Sequence, residues 1–385
     1  VGDEYNGVTS FGFHGKGGEE DAFGVNSGLL GLPAAGKSTL LRLLTKGEAG
    51  GPGKASIGVA PVPDARVDKL TEIYKPQRTV YAQLECTELP PLQLQQQGTG
   101  AAPGGVSAQQ LAEALRHIDA VVLVVRAFSS AHVPHVLGDV SALRDAQMLY
   151  EELLLMDWSL VETRLERLRE ARKKGLRHDE EIALFERLQP ELEAGRPLRA
   201  LEFTKDEAAL LRGYSFLTTK PMVLAVNVDE EQLRQRAFDG AEELAAWARE
   251  RAVPMVEVAA LIEAEIEELP PEAQAAFLAD LGLEQPGVAR LARWAYEALD
   301  LISFFTAAER EVRAWTVRRG TGAREAARVI HSDIERGFIR AEVVHFDDLV
   351  REGSMAAVRG KGLLRLEGKD YEVKDGDIIH FRFNV

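Results

Sequence analysis

An eight-residue pattern near the start of the chain constrains its fold more than any other feature. Gly31-Leu-Pro-Ala-Ala-Gly36-Lys37-Ser38 matches G-x-x-x-x-G-K-[ST] and lies between a short apolar segment ending at Leu30 and a leucine-rich stretch typical of a helix. In this order, a strand, a glycine-rich turn and a helix form a loop whose backbone N–H groups can surround phosphate oxygens. The alternative is an accidental glycine-rich turn, which would not require a strand before it and a helix after it.

Each part of the pattern has a role in holding a triphosphate. The glycines allow the tight turn, Lys37 supplies a positive charge, and the Ser38 hydroxyl can coordinate Mg²⁺. The predicted phosphate-binding residues are Gly31, Pro33, Ala34, Ala35, Gly36, Lys37, Ser38 and Thr39.

Three later segments predict further strands of the same sheet. Ala120–Arg126 and Met222–Asn227 are continuous apolar runs rich in β-branched residues, typical of strands covered on both faces, and Pro254–Val258 is a shorter candidate. Helical stretches separate these runs, as they do in a wound α/β sheet.

Two other regions have different periodicities. Between the second and third strands, apolar residues recur every three or four positions and Gly175 marks a turn, which predicts an inserted helical hairpin. The hairpin is either a buttress against the sheet or an arm that docks a partner. After Phe304, short alternating strands and a helix at Ala323–Ile330 predict a small α+β domain. The predicted segments are 1–23, a loose arm or an added extension; 24–139 with 214–303, a nucleotide-binding domain; 140–213, the hairpin; and 304–385, the α+β domain.

Charge and composition exclude several classes of protein. The 385 residues carry a formal net charge of −15, which argues against a general polyanion binder. Residues 304–385 carry 15 basic and 14 acidic side chains, so any nucleic-acid surface is expected there. The single cysteine and the lack of a membrane-spanning apolar run indicate a cytoplasmic protein with no membrane partner, and we expect a monomer.

The third predicted strand ends in a tetrapeptide at the edge where an α/β sheet receives a nucleotide base. Guanine-selective P-loop proteins have Asn-Lys-x-Asp there, and the carboxylate accepts hydrogen bonds from guanine. Here the sequence is Asn227-Val228-Asp-Glu230, which weakens the case for guanine and opens one for adenine. A strand-end loop without base contact is the alternative.

The chain resembles the YchF family, Obg-related P-loop proteins that prefer ATP to GTP. Beyond the phosphate loop, the resemblance is densest in the tail, at Glu311-Val-Arg-Ala-Trp-Thr316, Glu335-Arg-Gly-Phe-Ile-Arg-Ala-Glu342 and Phe381-Arg-Phe-Asn384. It implies an α/β P-loop NTPase, a G-domain-like sheet with an inserted α-helical hairpin and a C-terminal α+β ubiquitin-like (TGS) domain. It also implies ATP or GTP as ligand with Mg²⁺, and ribosome or RNA contact through the TGS-like domain and the helical arm.

The resemblance also implies roles for single residues. A loop histidine proposed to orient the attacking water falls on His135, and the apolar residue at the usual glutamine position falls on Leu92. Taken alone, His135 is more often a surface or capping histidine. A second base-binding segment falls on three residues after the fourth strand. The predicted base-binding residues are thus Asn227, Val228, Glu230, Ala259, Ala260 and Leu261.

The chain departs from the family in the segments that sense the γ-phosphate. Ungapped alignment places Glu88 where the family has a metal-site Asp, and Pro91 where it has a Gly, although proline has no N–H to donate. Ser56 stands where a Mg²⁺-sensing Thr is sought, and residues 93–105 replace a glycine-rich switch. We predict Ser38 and Glu88 as the metal-binding residues.

These features predict a slow nucleoside triphosphatase that prefers ATP and regulates a process linked to ribosomes or RNA. Hydrolysis is expected to be slow because no internal arginine finger is identifiable. The alternative is a nucleotide-binding or RNA-binding module in which the altered switch segments disable hydrolysis.

Overall fold

The computed structural model describes residues 25–47, 57–91 and 106–384, so the predicted arm at residues 1–23 lies outside the described residues. The described residues form two compact units, one within 26–58 and 86–291, the other within 59–85 and 292–384. Among the helices in these ranges, none is long and apolar enough to cross a membrane.

The described strands belong to two six-stranded sheets. Their bounds are β1 (Asn26–Gly31), β2 (Ile57–Val62), β3 (Arg78–Val80), β4 (Ala82–Glu88), β5 (Ala120–Arg126), β6 (Met222–Asn227), β7 (Met255–Val258), β8 (Leu301–Ala307), β9 (Glu311–Arg318), β10 (Phe338–His345), β11 (Arg365–Glu367) and β12 (Asp377–Phe383). The strand orders are β2-β4-β1-β5-β6-β7 and β11-β10-β12-β8-β9-β3.

Helices cover or extend both sheets. Their bounds are α1 (Lys37–Leu44), α2 (Ala65–Tyr74), α3 (Ala108–Leu115), α4 (Ala142–Lys173), α5 (Asp179–Glu193), α6 (Lys205–Leu211), α7 (Glu230–Gln235), α8 (Ala241–Glu250), α9 (Ala260–Glu267), α10 (Pro271–Asp280), α11 (Gly287–Ala298), α12 (Ala323–Ile330), α13 (Ser332–Arg336), α14 (Phe346–Glu352) and α15 (Met355–Gly360). A short 3-10 turn spans Leu198–Ala200.

Parallel pairing places the carboxyl ends of the central strands side by side. β1 pairs with β5, β5 with β6 and β6 with β7, all parallel. β5 and β6 have the predicted bounds, and every residue in both strands is buried, because a continuous apolar run suits a strand covered on both faces. The predicted α/β class is confirmed, and the loops that follow β1, β5 and β6 meet at one edge of the sheet.

The predicted hairpin consists of α4 and α5. Gly175, with φ 87°, lies in the turn between them, in the left-handed conformation that glycine adopts without strain. Leu149, Leu153 and Val161 of α4 lie in the core that also holds Phe185 of α5. The apolar stripe read from the sequence is therefore the packed face of the hairpin.

A buried carboxylate fixes α4 to the segment before β6. Asp157 accepts hydrogen bonds from the N–H groups of Leu217 and Thr218 at 2.8 and 2.7 Å, and from the Thr218 hydroxyl at 2.6 Å. Burial raises the pKa of Asp157 to about 6, and these donors act against the increase. The middle of α4 is thus anchored by directional bonds as well as by apolar packing.

The second unit is built on the sheet that contains the tail strands. Its core includes Ile302, Phe304, Val343 and Phe381, and α12 has the predicted bounds. β3 joins this sheet by pairing parallel with β9, with Thr79 opposite Val312. Residues 59–85, which lie inside the predicted nucleotide-binding segment, therefore cluster with the tail. The predicted domain boundaries stay a prediction.

Candidate nucleotide-binding site

The phosphate-loop pattern forms the turn between β1 and α1. Gly36 has φ 98°, and a Cβ added there would lie 2.2 Å from Nδ2 of Asn227; at Gly31, a Cβ would lie 2.4 Å from the carbonyl oxygen of Val124. Both glycines are therefore required by the close approach of the loop to β5 and β6. The other predicted phosphate-binding residues differ in exposure: Ala34 is exposed, Pro33 and Thr39 are half-buried, and Ala35 is buried.

Lys37 begins α1 and folds back over the loop. Its Nζ donates to the carbonyl oxygens of Gly31 and Leu32 at 2.9 and 3.1 Å. The side chain is only 6% exposed, and burial lowers the pKa of Lys37 to about 8, while the Glu88 carboxylate acts against this decrease. No carboxylate pairs directly with this ammonium group among the described residues, so an incoming anion would relieve its desolvation.

Ser38 and Glu88 meet beside the loop. The Ser38 hydroxyl donates to Oε1 of Glu88 at 2.7 Å, which brings together the two predicted metal-binding residues from α1 and the end of β4. Hydroxyl and carboxylate oxygens are ligands that suit Mg²⁺, which usually takes one or two protein oxygens and completes its shell with phosphate and water. The described residues contain no cluster of three or more His, Cys, Asp or Glu that could hold a metal without such a partner. The donor set therefore fits Mg²⁺ bound together with a triphosphate.

The segment after Glu88 is described only in part. The carbonyl oxygen of Pro91 accepts a hydrogen bond from the N–H of Val106 at 3.0 Å. Ser56, Leu92 and residues 93–105, to which the sequence assigned switch and water-site positions, lie outside the described residues.

Asn227 links the phosphate loop to the start of α9. Its Nδ2 donates to the carbonyl oxygen of Ala35 at 3.0 Å, and its Oδ1 accepts from the N–H of Ala260 at 3.2 Å. A primary amide has two N–H donors and two acceptor sites, so one of each remains for a base. The amide thus braces the loop, and its contact with a base stays a prediction, since Asn227 is only 4% exposed.

The other predicted base residues differ in exposure. Leu261 is 75% exposed, whereas the side chains of Val228, Ala259 and Ala260 are buried. Val228 lies in the hydrophobic core, so only its backbone could contact a ligand.

Glu230 is exposed and engaged by a neighbour on its own helix. Its Oε1 accepts from Nε and Nη2 of Arg234 at 3.1 and 3.0 Å, and Nη2 also contacts Asp280. Asp229 caps α7 by accepting from the N–H of Gln232 at 2.9 Å. Neither carboxylate is therefore held in advance for the N–H groups of a guanine.

Sequence reasoning missed the buried carboxylate of Glu263. It accepts hydrogen bonds from the N–H groups of Ala259, Gly287 and Val288, each at 3.1 Å, and joins the second base segment to the start of α11. Burial raises the pKa of Glu263, and the three backbone donors act against this increase. The available signal was its helical spacing from Ala260 and Ile266, since all three residues share the buried face of α9.

His135 lies in the loop that follows β5, and both of its ring nitrogens have partners. Nε2 lies 2.8 Å from Oδ2 of Asp145, and Nδ1 accepts from the N–H of Leu137 at 3.1 Å. The side chains of His135 and Asp145 are each 2% exposed. His132, the neighbouring histidine, is exposed. The structure thus directs His135 toward the first turn of α4.

Arg126 fixes the same loop from the end of β5. Its Nε and Nη2 donate to the carbonyl oxygens of Phe128 and Val133 at 3.0 and 2.8 Å, and its guanidinium carbon lies 4.4 Å from the centre of the Phe128 ring. Burial lowers the pKa of Arg126, while Asp145 acts against this decrease. A cavity of about 560 Å³ lies beside the loop, and both Arg126 and His135 line it.

Comparison with known proteins identifies the family. The sequence model of the YchF-GTPase_C family, described as a protein of unknown function, matches residues 301–384. The chain is 37% identical over 369 residues to the "Ribosome-binding ATPase YchF" of Bacillus subtilis, covering 94% of this chain and all of that protein. The protein of the same name from Pasteurella multocida is 40% identical over 370 residues, with the same coverage.

Solved structures agree with this assignment. The "YchF GTPase" of Schizosaccharomyces pombe superimposes with a TM-score of 0.81 at 31% identity, covering 93% of this chain and 98% of that one. A "GTP binding protein" of Pyrococcus horikoshii, at 16% identity with a TM-score of 0.56, covers 94% of this chain and all of its own, and supports the fold alone. The predicted resemblance is confirmed, and the chain belongs to the YchF family.

Proposed function

We propose that the chain is a Mg²⁺-dependent nucleoside triphosphatase that prefers ATP to GTP and hydrolyses it slowly. The observation that carries this proposal is the phosphate loop, where the buried ammonium of Lys37 donates to two carbonyl oxygens, with no carboxylate partner among the described residues, and Ser38 contacts Glu88. The names of the relatives, ribosome-binding ATPase and GTPase, support the same class of reaction.

The residues of the loop would act mainly by position and charge. Backbone N–H groups around Gly36 bind the phosphate oxygens, and Lys37 exchanges its carbonyl partners for a phosphate oxygen. Ser38 and Glu88 would hold Mg²⁺ directly or through its water. The ion, when bound, neutralises charge on the β- and γ-phosphates.

The preference for adenine rests on what the base site lacks. A site that selects guanine presents a carboxylate to two N–H groups of the base. A base without these N–H groups would leave the carboxylate unpaired, so its binding would be much weaker. Glu230 is bonded to Arg234, and Asp229 is used in capping. The free donor and acceptor positions of Asn227 remain to contact either purine, so the proposed site imposes little demand for guanine.

His135 is proposed to orient the attacking water, which requires the loop to release one of its ring nitrogens. Positioned acid–base groups of this kind contribute roughly 10²- to 10⁴-fold to a rate. Because His135 is bonded to Asp145 and Leu137 in this structure, the active arrangement forms only after the loop rearranges. This cost supports slow hydrolysis.

The proposed cellular role is at the ribosome, in the cytoplasm, with the chain acting as a monomer. Support comes from the names of the relatives and from basic residues on the paired strands β10 and β12 of the second unit, among them Arg340 and Arg382. The helical hairpin offers a second surface for such a partner.

One observation favours a second candidate, a nucleotide-binding module that hydrolyses little. Pro91 stands where the family has a glycine, and it offers no N–H to a γ-phosphate. In this alternative, bound ATP itself sets the state of the protein.

Single-turnover hydrolysis of radiolabelled ATP separates the two candidates. The triphosphatase predicts release of phosphate above the uncatalysed rate and a fall of roughly 10²-fold or more in the His135→Ala variant. Binding of ATP without phosphate release in the wild-type protein would support the module instead. Phosphate release faster with GTP than with ATP would contradict the proposed base preference.

A further inference from the structure

The hydrogen bonds of His135 define which ring nitrogen carries its proton. A backbone N–H can only donate, so Nδ1 of His135 must accept from Leu137. The proton of the neutral ring therefore lies on Nε2, which donates to Oδ2 of Asp145 at 2.8 Å. A neutral imidazole has one nitrogen that can accept a hydrogen bond, and in His135 that nitrogen is Nδ1.

Asp145 is itself held in place from its other oxygen. Oδ1 accepts from Nε and Nη2 of Arg144 at 3.1 and 3.0 Å, so the two carboxylate oxygens face different partners. The charged groups around the pair are Arg144 on α4, Arg126 on β5 and Asp139 in the loop. The Asp145 side chain is 2% exposed, and it lies in the first turn of α4, the long helix of the hairpin.

We propose that Asp145 is a positioning residue, which keeps the proton of His135 on Nε2 and so reserves Nδ1 for the attacking water. This inference rests on the proposed role of His135. When the loop opens, the water replaces the N–H of Leu137 as the donor to Nδ1. The water oxygen then bonds to the γ-phosphorus while the bond to the β–γ bridging oxygen breaks, and the water proton passes to the released phosphate.

The position of Asp145 also ties this histidine to the hairpin. The carboxylate belongs to α4, which continues to Lys173, whereas His135 belongs to the loop after β5. A displacement of α4 would therefore change the orientation of the imidazole without any contact to the nucleotide. The arm that is proposed to meet a partner and the residue that is proposed to orient water share one hydrogen bond.

The Asp145→Asn variant tests the proposal with little change in shape. The donors of Arg144 retain the amide oxygen on their side, so the amide NH₂ faces Nε2 of His135 and requires it to accept. The proton then moves to Nδ1, opposes the N–H of Leu137 and blocks acceptance from water. We expect kcat to fall by about 10²-fold or more while KM for ATP stays within about twofold.

Two comparisons separate this effect from a structural one. In the His135→Ala background, Asp145→Asn is expected to cause no further loss of kcat, because the histidine it positions is absent. The matched control is Asp139→Asn, since Asp139 also bonds Arg144 but is 81% exposed and does not bond His135. That variant is expected to retain the wild-type rate.

The tautomer can be measured directly in the full chain labelled with ¹⁵N-histidine. Long-range ¹H–¹⁵N spectra are expected to show the Nε2–H form in the wild-type protein and the Nδ1–H form in Asp145→Asn. The wild-type spectrum needs no variant, so the inference is testable even where a substitution disturbs folding.

Distinct results would overturn the inference and the proposed function. A wild-type Nδ1–H tautomer, or an equal loss from Asp145→Asn with and without His135, would overturn the positioning role of Asp145. A wild-type rate in His135→Ala would instead overturn the proposed role of the histidine. Loss in His135→Ala with no loss in Asp145→Asn would leave that role intact and remove Asp145 from the mechanism.

Discussion

Replacing Lys37 by methionine should stabilise the ligand-free protein while it abolishes nucleotide binding. Methionine has a similar length and no charge, so the substitution removes the ammonium group from a site that is only 6% exposed. Residues that serve a ligand rather than the fold commonly show such an opposition between stability and function.

The expected magnitude follows from the contacts of Lys37. Its pKa falls from 10.5 to about 8, which corresponds to about 3 kcal/mol of penalty against the charged form in the folded state. Methionine removes this penalty but leaves the carbonyl oxygens of Gly31 and Leu32 without their donor, at roughly 1 kcal/mol each. We therefore expect a net gain of about 1 kcal/mol in the free energy of unfolding at pH 7.

The sign of the pH dependence gives a sharper test than the magnitude. Between about pH 8 and 10.5, the unfolded chain retains a proton on Lys37 that the folded chain has lost, so the wild-type protein gains stability relative to Lys37→Met as pH rises. Below about pH 8, the difference between the two proteins should be constant.

Urea unfolding of both proteins at pH 7 and at pH 10 measures this difference. The advantage of Lys37→Met should shrink or reverse at the higher pH, whereas Lys46→Met, at an exposed lysine after α1, should match the wild-type protein at both. A Lys37→Met variant that is less stable at pH 7, by an amount that does not change with pH, would refute the desolvation argument.

Three further predictions concern the same site. Binding of Mg²⁺-ATP at pH 8 should take up about half a proton, because phosphate returns Lys37 to its charged form. Calorimetry in buffers of different ionisation enthalpy measures this proton uptake, which should be small at about pH 6.5. Glu88→Gln should keep a hydrogen bond with Ser38 but raise the Mg²⁺ concentration needed for half-maximal nucleotide binding by about tenfold, with Glu88→Asp closer to wild type. Equal Mg²⁺ dependence of Glu88→Gln and the wild-type protein would remove Glu88 from the metal site. Glu263→Gln should lower the free energy of unfolding by roughly 1–3 kcal/mol, because the amide NH₂ of the glutamine faces at least one of three backbone N–H donors. An unchanged urea midpoint would show that this network is dispensable.

The central strands were predictable because their sequence pattern determines their environment. β5 and β6 are uninterrupted apolar runs, and such runs fit strands covered on both faces. The phosphate loop was predictable for a related reason, since Gly31 and Gly36 both lie where a Cβ would collide with a neighbouring strand. In both cases the local sequence pattern fits one kind of structural environment.

The partners of buried charges were not predictable in the same way. Glu263 shares the helical spacing of the buried Ala260 and Ile266, but nothing in one sequence says which groups its carboxylate or that of Asp145 would bind. Their partners, His135 and the start of α11, come from other elements. The pairing of these carboxylates depends on tertiary packing, which local periodicity does not encode.

The membership of β3 in the second sheet was hidden for another reason. This strand has three residues, Arg78–Val80, too few for alternation to be distinguished from chance. Its partner β9 is remote in the sequence, and parallel pairing leaves no turn to mark the connection.

Calorimetric titration of the full chain with ATP and GTP at millimolar Mg²⁺ measures whether the loop around Gly36 and Lys37 binds a nucleoside triphosphate. We expect saturable binding of one nucleotide per chain, tighter for ATP than for GTP, and lost in Lys37→Met although that variant remains folded. Absence of binding of either nucleotide to the folded wild-type protein would contradict the assignment of this loop, despite the membership of the YchF family.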